Sequence, residues 1–232
     1  MDRNRVTLIP GPVRTAFLDL LDPVVGWLIR RRVHPNTITV ASVVVLFGSG
    51  IAFGLEFPRM GAFWLLISGI LDILDGKVAR SGGTSSDFGA FFDSTLDRLG
   101  EAALFSGIAV YFVITSGQRW PIVGLGVSLL TLAGSFLVSY TRARAEGLGL
   151  ECRVGIAQRP ERIVGLGVPT LLFGAGPQGW LLLGLMAALA AVNTITVIQR
   201  IAHVYRLTVP DAARGRETGA PVAIADPVPK GK

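Results

Sequence analysis

The sequence predicts an all-α integral membrane protein, with six transmembrane helices and an N-terminal amphipathic helix lying in the interface. Three observations predict it. Half of the 232 residues are apolar and the mean hydropathy is +0.55, more than an ordinary soluble domain of this length carries. Residues 36–55, 120–141 and 163–199 hold no charged side chain, and the last run is divided by a turn signal over residues 174–179. Lysine and arginine gather in the N-terminal segment, the loop of the 80s, residues 142–162 and the tail, leaving Arg59 and Arg119 on the other side.

Taken in order, residues 11–33 alternate apolar and charged positions at helical spacing and end in three arginines. That pattern suits a helix lying on the bilayer surface, with Pro23 bending it. Residues 34–37 turn the chain, with Asn36 or Thr37 as N-cap of the first span. Spans follow over 36–55, 59–80, 88–116 and 120–141, and residues 163–199 supply two short helices. The domain plan is thus a cytoplasmic N-terminus with its interfacial helix (1–35), a six-helix membrane domain (36–206) and a disordered cytoplasmic tail (207–232).

The lysine and arginine bias makes both termini cytoplasmic, in the cell membrane of a multi-pass protein, and no cleavable signal peptide is expected. The net charge of +6 and pI near 10.2 suit an anionic lipid surface and require no nucleic acid. Cys152 is a lone thiol with no disulfide partner, and neither His34 nor His203 has a second soft ligand at zinc spacing. The paired glycines 124/126 and 165/167 read as helix-packing positions.

Chemistry is concentrated in residues 72–97. Ionised carboxylates at membrane depth are costly unless paired, hydrated or bound to a cation. Asp72 and Asp75 are three apart and Asp93 and Asp97 four apart, so each pair projects from one face of its helix. Two such faces form an all-oxygen pocket suited to Mg2+ or Mn2+. Between them, residues 81–86 form a small, flexible hairpin loop. No phosphate-binding-loop or dinucleotide-binding glycine motif is present.

In full the segment reads D-x-x-D-G-x-x-A-R-x8-G-x-x-x-D-x-x-x-D, filled by Asp72, Asp75, Gly76, Ala79, Arg80, Gly89, Asp93 and Asp97. This resembles the signature of the CDP-alcohol phosphotransferases, membrane enzymes that make phospholipids from CDP-activated donors. The resemblance implies two divalent ions per active site, clamping the donor diphosphate and stabilising the leaving CMP. It implies that Asp72 and Asp93 bridge both ions, Asp75 completes the first, and Asp97 reaches the second and serves as general base. It also implies a CDP-lipid site built from Gly76, Arg80, Ser86 and the residues Asn36, Thr37, Ile38 and Thr39, and a homodimeric assembly.

The acceptor is a separate matter. Tyr140, Arg142, Arg144, Arg159, Arg162 and Arg200 set several guanidiniums at the mouth of the acidic cavity, which suits an acceptor that itself carries a phosphate. The tract over residues 140–146, the R-P-E-R of residues 159–162 and the dipeptide Gln199-Arg200 resemble those of the prokaryotic phosphatidylinositol phosphate synthases. That resemblance implies transfer from CDP-diacylglycerol to inositol 1-phosphate, with Arg142, Arg159, Arg162 and Arg200 holding the acceptor phosphate. Arg142 stands where that group has lysine, which keeps charge but not geometry. Two other readings stay open: a phosphatidylglycerophosphate synthase taking glycerol 3-phosphate, and a divalent-cation transporter.

Overall fold

Charge-free runs locate the greasy middle of each helix, not its ends. The computed structural model describes residues 11–152, 154–156 and 159–209, and every regular element among them is helical. Helix α1 covers Gly11–Arg30, α2 Pro35–Gly54, α3 Pro58–Ser81, α4 Asp87–Ile114, α5 Pro121–Glu146, α6 Arg159–Phe173 and α7 Trp180–Thr208. Pro35, Pro58 and Pro121 open their helices, where a missing N–H costs nothing and a fixed φ helps. The tail from residue 210 lies outside the described residues.

Among the described residues three segments are long and apolar enough to cross a membrane: α2, α5 and Pro177–Thr208. Helices α3 and α4 carry the signature charges, and α6, at 15 residues, is about 22 Å long. Large apolar side chains such as Val44, Ile51, Ile122, Leu130 and Ile198 stand exposed around the bundle, as lipid contact requires.

Several sequence expectations need correction. The N-cap of α2 is His34, not Asn36 or Thr37: His34 is extended, and its Nδ1 accepts the Asn36 N–H at 3.2 Å. Proline at the first helical position pushes its predecessor out of the helix, so the cap falls on residue 34. The basic stretch of residues 142–162 is helical at both ends, because α5 continues to Glu146 and α6 begins at Arg159. An Arg142–Glu146 ion pair of 2.9 Å, four residues apart, supports the extra turn. The two halves of 163–199 are not both short, since α7 runs 29 residues and ends in a charged turn. Pro23 lies inside α1, which continues through it.

Packing is ordered around α2, which lies against both α3 and α4; α5 joins α4 to α7, α6 rests on α3, and α1 touches α3. With lipid outside, close backbone approach and buried hydroxyls replace the hydrophobic effect as glue. Ser49 donates to Gly61 O at 2.7 Å, and Ser42 donates to Ser68 O at 3.0 Å. Gly50 of α2 and Gly107 of α4 meet so closely that a Cβ on either would overlap the other helix's backbone. Gly124 and Gly167 do serve packing, against Phe112 and Leu66, whereas Gly126 and Gly165 face open space. Gly107→Val is therefore expected to lower the melting temperature in detergent, at a cost of at least about 1–3 kcal/mol, while Gly126→Ala leaves it unchanged. Equal melting of the two variants would refute the α2–α4 contact.

Helix α1 is fastened through Lys77, whose Nζ donates to Leu18 O at 2.6 Å and meets Asp22 Oδ1 at 2.5 Å. Leu21 and Val25 bury themselves against Ile38, Leu74 and Val78. This seam ties α1 to the helix that carries the first aspartate pair.

Candidate active site

The C-terminal half of α3 and the N-terminal half of α4 face each other across the five-residue turn 82–86. Ser86 is not a free loop residue: it caps α4, its Oγ accepting the Gly89 N–H at 3.0 Å. The cap fixes where the helical count of α4 begins, and so which face carries Asp93 and Asp97. One carboxylate oxygen from each of Asp72, Asp75 and Asp93 lies within 4.8 Å of the others. Asp75 is buried, and its Oδ2 accepts the Thr39 hydroxyl at 2.8 Å. Asp93 Oδ1 is shielded from solvent and accepts no hydrogen bond. A buried carboxylate oxygen with no donor, facing two more carboxylates, is the donor set a hard divalent ion takes. These residues fit such an ion.

Asp97 stands one turn beyond Asp93, buried and outside that trio. Its carboxylate is ion-paired with Arg159, whose Nη1 also meets Asp72 Oδ1 at 2.7 Å. The first arginine of R-P-E-R thus spans both aspartate helices. Arg162, one turn along α6, donates to Ser135 Oγ at 2.9 Å and Asn193 Oδ1 at 3.4 Å. Arg200 is held by carbonyls: its Nε donates to Val154 O at 3.0 Å and its Nη1 to Val138 O. Arg142 is exposed and engaged with Glu146. Of the four acceptor arginines, the structure brings Arg159 to the signature aspartates and Arg162 to Glu101, one turn beyond Asp97 on α4, at 3.8 Å.

The expected donor residues separate similarly. Arg80 folds back so that its guanidinium lies over Gly76, where a Cβ would come within 3.1 Å of Nη1. Thr37 is exposed and Asn36 half-buried beside the start of α4. Thr39 faces inward onto Asp75, and Ile38 packs with α1 and α3 in the apolar seam. Those last two support the site from behind.

Residues 32–205 match the CDP-alcohol phosphatidyltransferase family. The chain belongs to that family. A CDP-alcohol phosphatidyltransferase relative from Methanothermobacter thermautotrophicus, archaetidylinositol phosphate synthase, is 37% identical over 193 residues, 83% of this chain and 92% of its own. The phosphatidylinositol phosphate synthase of Streptomyces avermitilis is 35% identical over 218 residues, 89% and 87% of the two chains. Among solved structures, Mycobacterium tuberculosis phosphatidylinositol phosphate synthase with CDP-DAG bound superposes with a TM-score of 0.69 at 28% identity, covering 79% of this chain and 92% of that one. The same protein in complex with manganese and citrate gives a TM-score of 0.70. Use of a divalent metal by this CDP-alcohol phosphatidyltransferase agrees with its three-carboxylate cluster.

Three residues at this site were missed by motif reading: Glu101, Ser135 and Asn193. Glu101 had a signal, because positions 93, 97 and 101 continue one four-residue period along α4. Ser135 and Asn193 had none, being uncharged polar residues inside charge-free spans.

Proposed function

We propose that this chain transfers a phosphatidyl group from CDP-diacylglycerol to inositol 1-phosphate, releasing CMP and phosphatidylinositol phosphate. The observation that carries the reading is Arg159, an R-P-E-R arginine in contact with both Asp72 and Asp97. A phosphate held by Arg159 brings its alcohol to the carboxylate that must take the proton, so acceptor recognition and base catalysis share one side chain. Arg162 and Arg200 extend the cationic wall, with Arg142 guarding the entry.

Asp72, Asp75, Asp93 and Asp97 would hold two Mg2+ or Mn2+ ions, the first three forming the cluster of carboxylates. The ions, when bound, neutralise the donor diphosphate and stabilise the leaving CMP. Arg80, one turn beyond Gly76 on α3, orients the nucleotide end, and the hydroxyl of Ser86 with Asn36 and Thr37 borders the donor, Ile38 and Thr39 backing them. Asp97 takes the proton of the attacking hydroxyl, whose oxygen then bonds to the phosphorus on the lipid side of the diphosphate. Six membrane helices, α2 to α7, carry this site in the plasma membrane, with α1 in the interface and the site facing the cytoplasm. The lysine and arginine bias supports that orientation. Family resemblance alone supports a homodimer.

The test is CMP release by purified protein with CDP-diacylglycerol and Mg2+, comparing inositol 1-phosphate, free inositol, glycerol 3-phosphate and serine. Selective turnover with inositol 1-phosphate is expected. Turnover with glycerol 3-phosphate alone would retain the carboxylate chemistry and replace the acceptor. Metal flux into liposomes without any CDP-lipid would instead favour the cation transporter.

A further inference from the structure

We infer that Glu101, a carboxylate outside the family signature, is a positioning residue for the acceptor phosphate, fixing the guanidiniums of Arg159 and Arg162. The inference rests on the proposal above that the acceptor carries a phosphate. Glu101 lies one helical turn beyond Asp97 on the same face of α4 and is 6% exposed. A carboxylate buried that far inside an apolar bundle needs cationic neighbours. It has three: Arg98 Nε at 3.6 Å, Arg162 Nη2 at 3.8 Å and Arg159 Nε at 3.9 Å. One oxygen, Oε1, faces both R-P-E-R arginines.

Those separations exceed a direct hydrogen bond, and the firm link is made by Ser135. Its hydroxyl donates to Glu101 Oε2 at 2.7 Å and accepts from Arg162 Nη1 at 2.9 Å. Arg162 Nη1 also reaches Asn193, whose Nδ2 donates to Thr131 O at 3.2 Å. Arg162 is thereby tied to α4, α5 and α7, yet its Nε is buried without a hydrogen-bond partner. A cavity of ≈ 30 Å³ borders Glu101, Arg159, Arg162 and Asn193 on one side and apolar side chains such as Leu46, Leu65 and Phe105 on the other.

The physical need is clear. Two guanidiniums on successive turns of α6 repel each other, and nothing apolar can hold them converged on one dianion. A carboxylate behind them offsets that repulsion while leaving their outer N–H groups for the ligand. Glu101 is not placed for the other roles. It lies outside the trio of carboxylates that could hold a metal, and Asp97 stands between it and that trio along α4. Positions 93, 97 and 101 thus form a column on one helix face: metal ligand, base, and anchor of the acceptor arginines.

The test is Glu101→Gln, which keeps the shape and a hydrogen-bonding partner for Ser135 but removes the charge. Steady-state kinetics with inositol 1-phosphate should show acceptor KM raised about 10–100-fold, the range for losing a charge-assisted contact. The donor KM and the Mn2+ affinity measured without acceptor should be unchanged. Unchanged acceptor KM, or a loss of Mn2+ affinity, overturns the inference. If Glu101→Gln does not fold, Ser135→Ala carries the same expectation and the same overturning result. Wild-type protein that uses glycerol 3-phosphate instead defeats the acceptor reading alone, and Glu101→Gln is then scored on that phosphate. Wild type that accepts only an unphosphorylated alcohol overturns both.

Discussion

Asp97→Asn is expected to reduce turnover by about 10²–10⁴-fold, the contribution of a positioned general base, while leaving CDP-lipid binding and Mn2+ binding at the Asp72, Asp75 and Asp93 cluster in place. The expectation follows from where Asp97 sits. It is buried one turn beyond Asp93 and outside the trio that could hold a metal, so the amide should spare most of the ion's ligands. Asparagine keeps the volume and can still accept a hydrogen bond from Arg159, so the side-chain link from α4 to Arg159 survives. What it loses is the capacity to take the hydroxyl proton. Single-turnover CMP release, with donor affinity measured in parallel, separates the cases. Normal turnover in Asp97→Asn would remove it as the base. A fall in turnover matched by an equal fall in Mn2+ affinity would make it chiefly a ligand.

The two halves of this site differed in how visible they were. The aspartates were legible because membrane helices make charge rare, so four carboxylates at helical spacing stand out and their periodicity says which face they share. Arg159 and Arg162 were legible as charges, but their partners were not, because the 12 residues between α5 and α6 give no register between helices. The sequence could not separate Arg142, which turns to Glu146 on its own helix, from Arg159, which crosses to α3 and α4. Helix ends were misread where charge marked the bilayer boundary, since α5 and α7 carry their helical hydrogen bonds past it. Thr39 and Ile38 show the remaining difficulty: adjacent residues on α2 face a carboxylate and an apolar seam, and only packing against α1 and α3 decides which.

Asp72→Asn is expected to do more damage than Asp97→Asn, because Asp72 takes part in both halves of the site. Its carboxylate belongs to the trio that could hold an ion and also accepts from Arg159 at 2.7 Å. Losing it weakens the metal site and releases one of the three carboxylates that fix Arg159 between α3 and α4, the one on α3. Metal-derived charge stabilisation is worth several kcal/mol, so activity should fall by at least about 10³-fold, matching the loss on chelation with EDTA. Chelated wild type should recover fully when Mg2+ or Mn2+ is restored, whereas Asp72→Asn should stay inactive at any metal concentration that keeps the protein in solution. Mn2+ titration followed by electron paramagnetic resonance gives the independent readout: the variant should bind fewer ions, or bind them more weakly, than wild type. Asp75→Asn is the informative contrast. Its Oδ2 is engaged by Thr39 and it makes no ion pair with Arg159 among the described residues, so its defect should be repaired in part by excess metal. Equal rescue of both variants would mean that Arg159 gains nothing from Asp72, and the link between the acceptor arginine and the metal carboxylates would have to be abandoned.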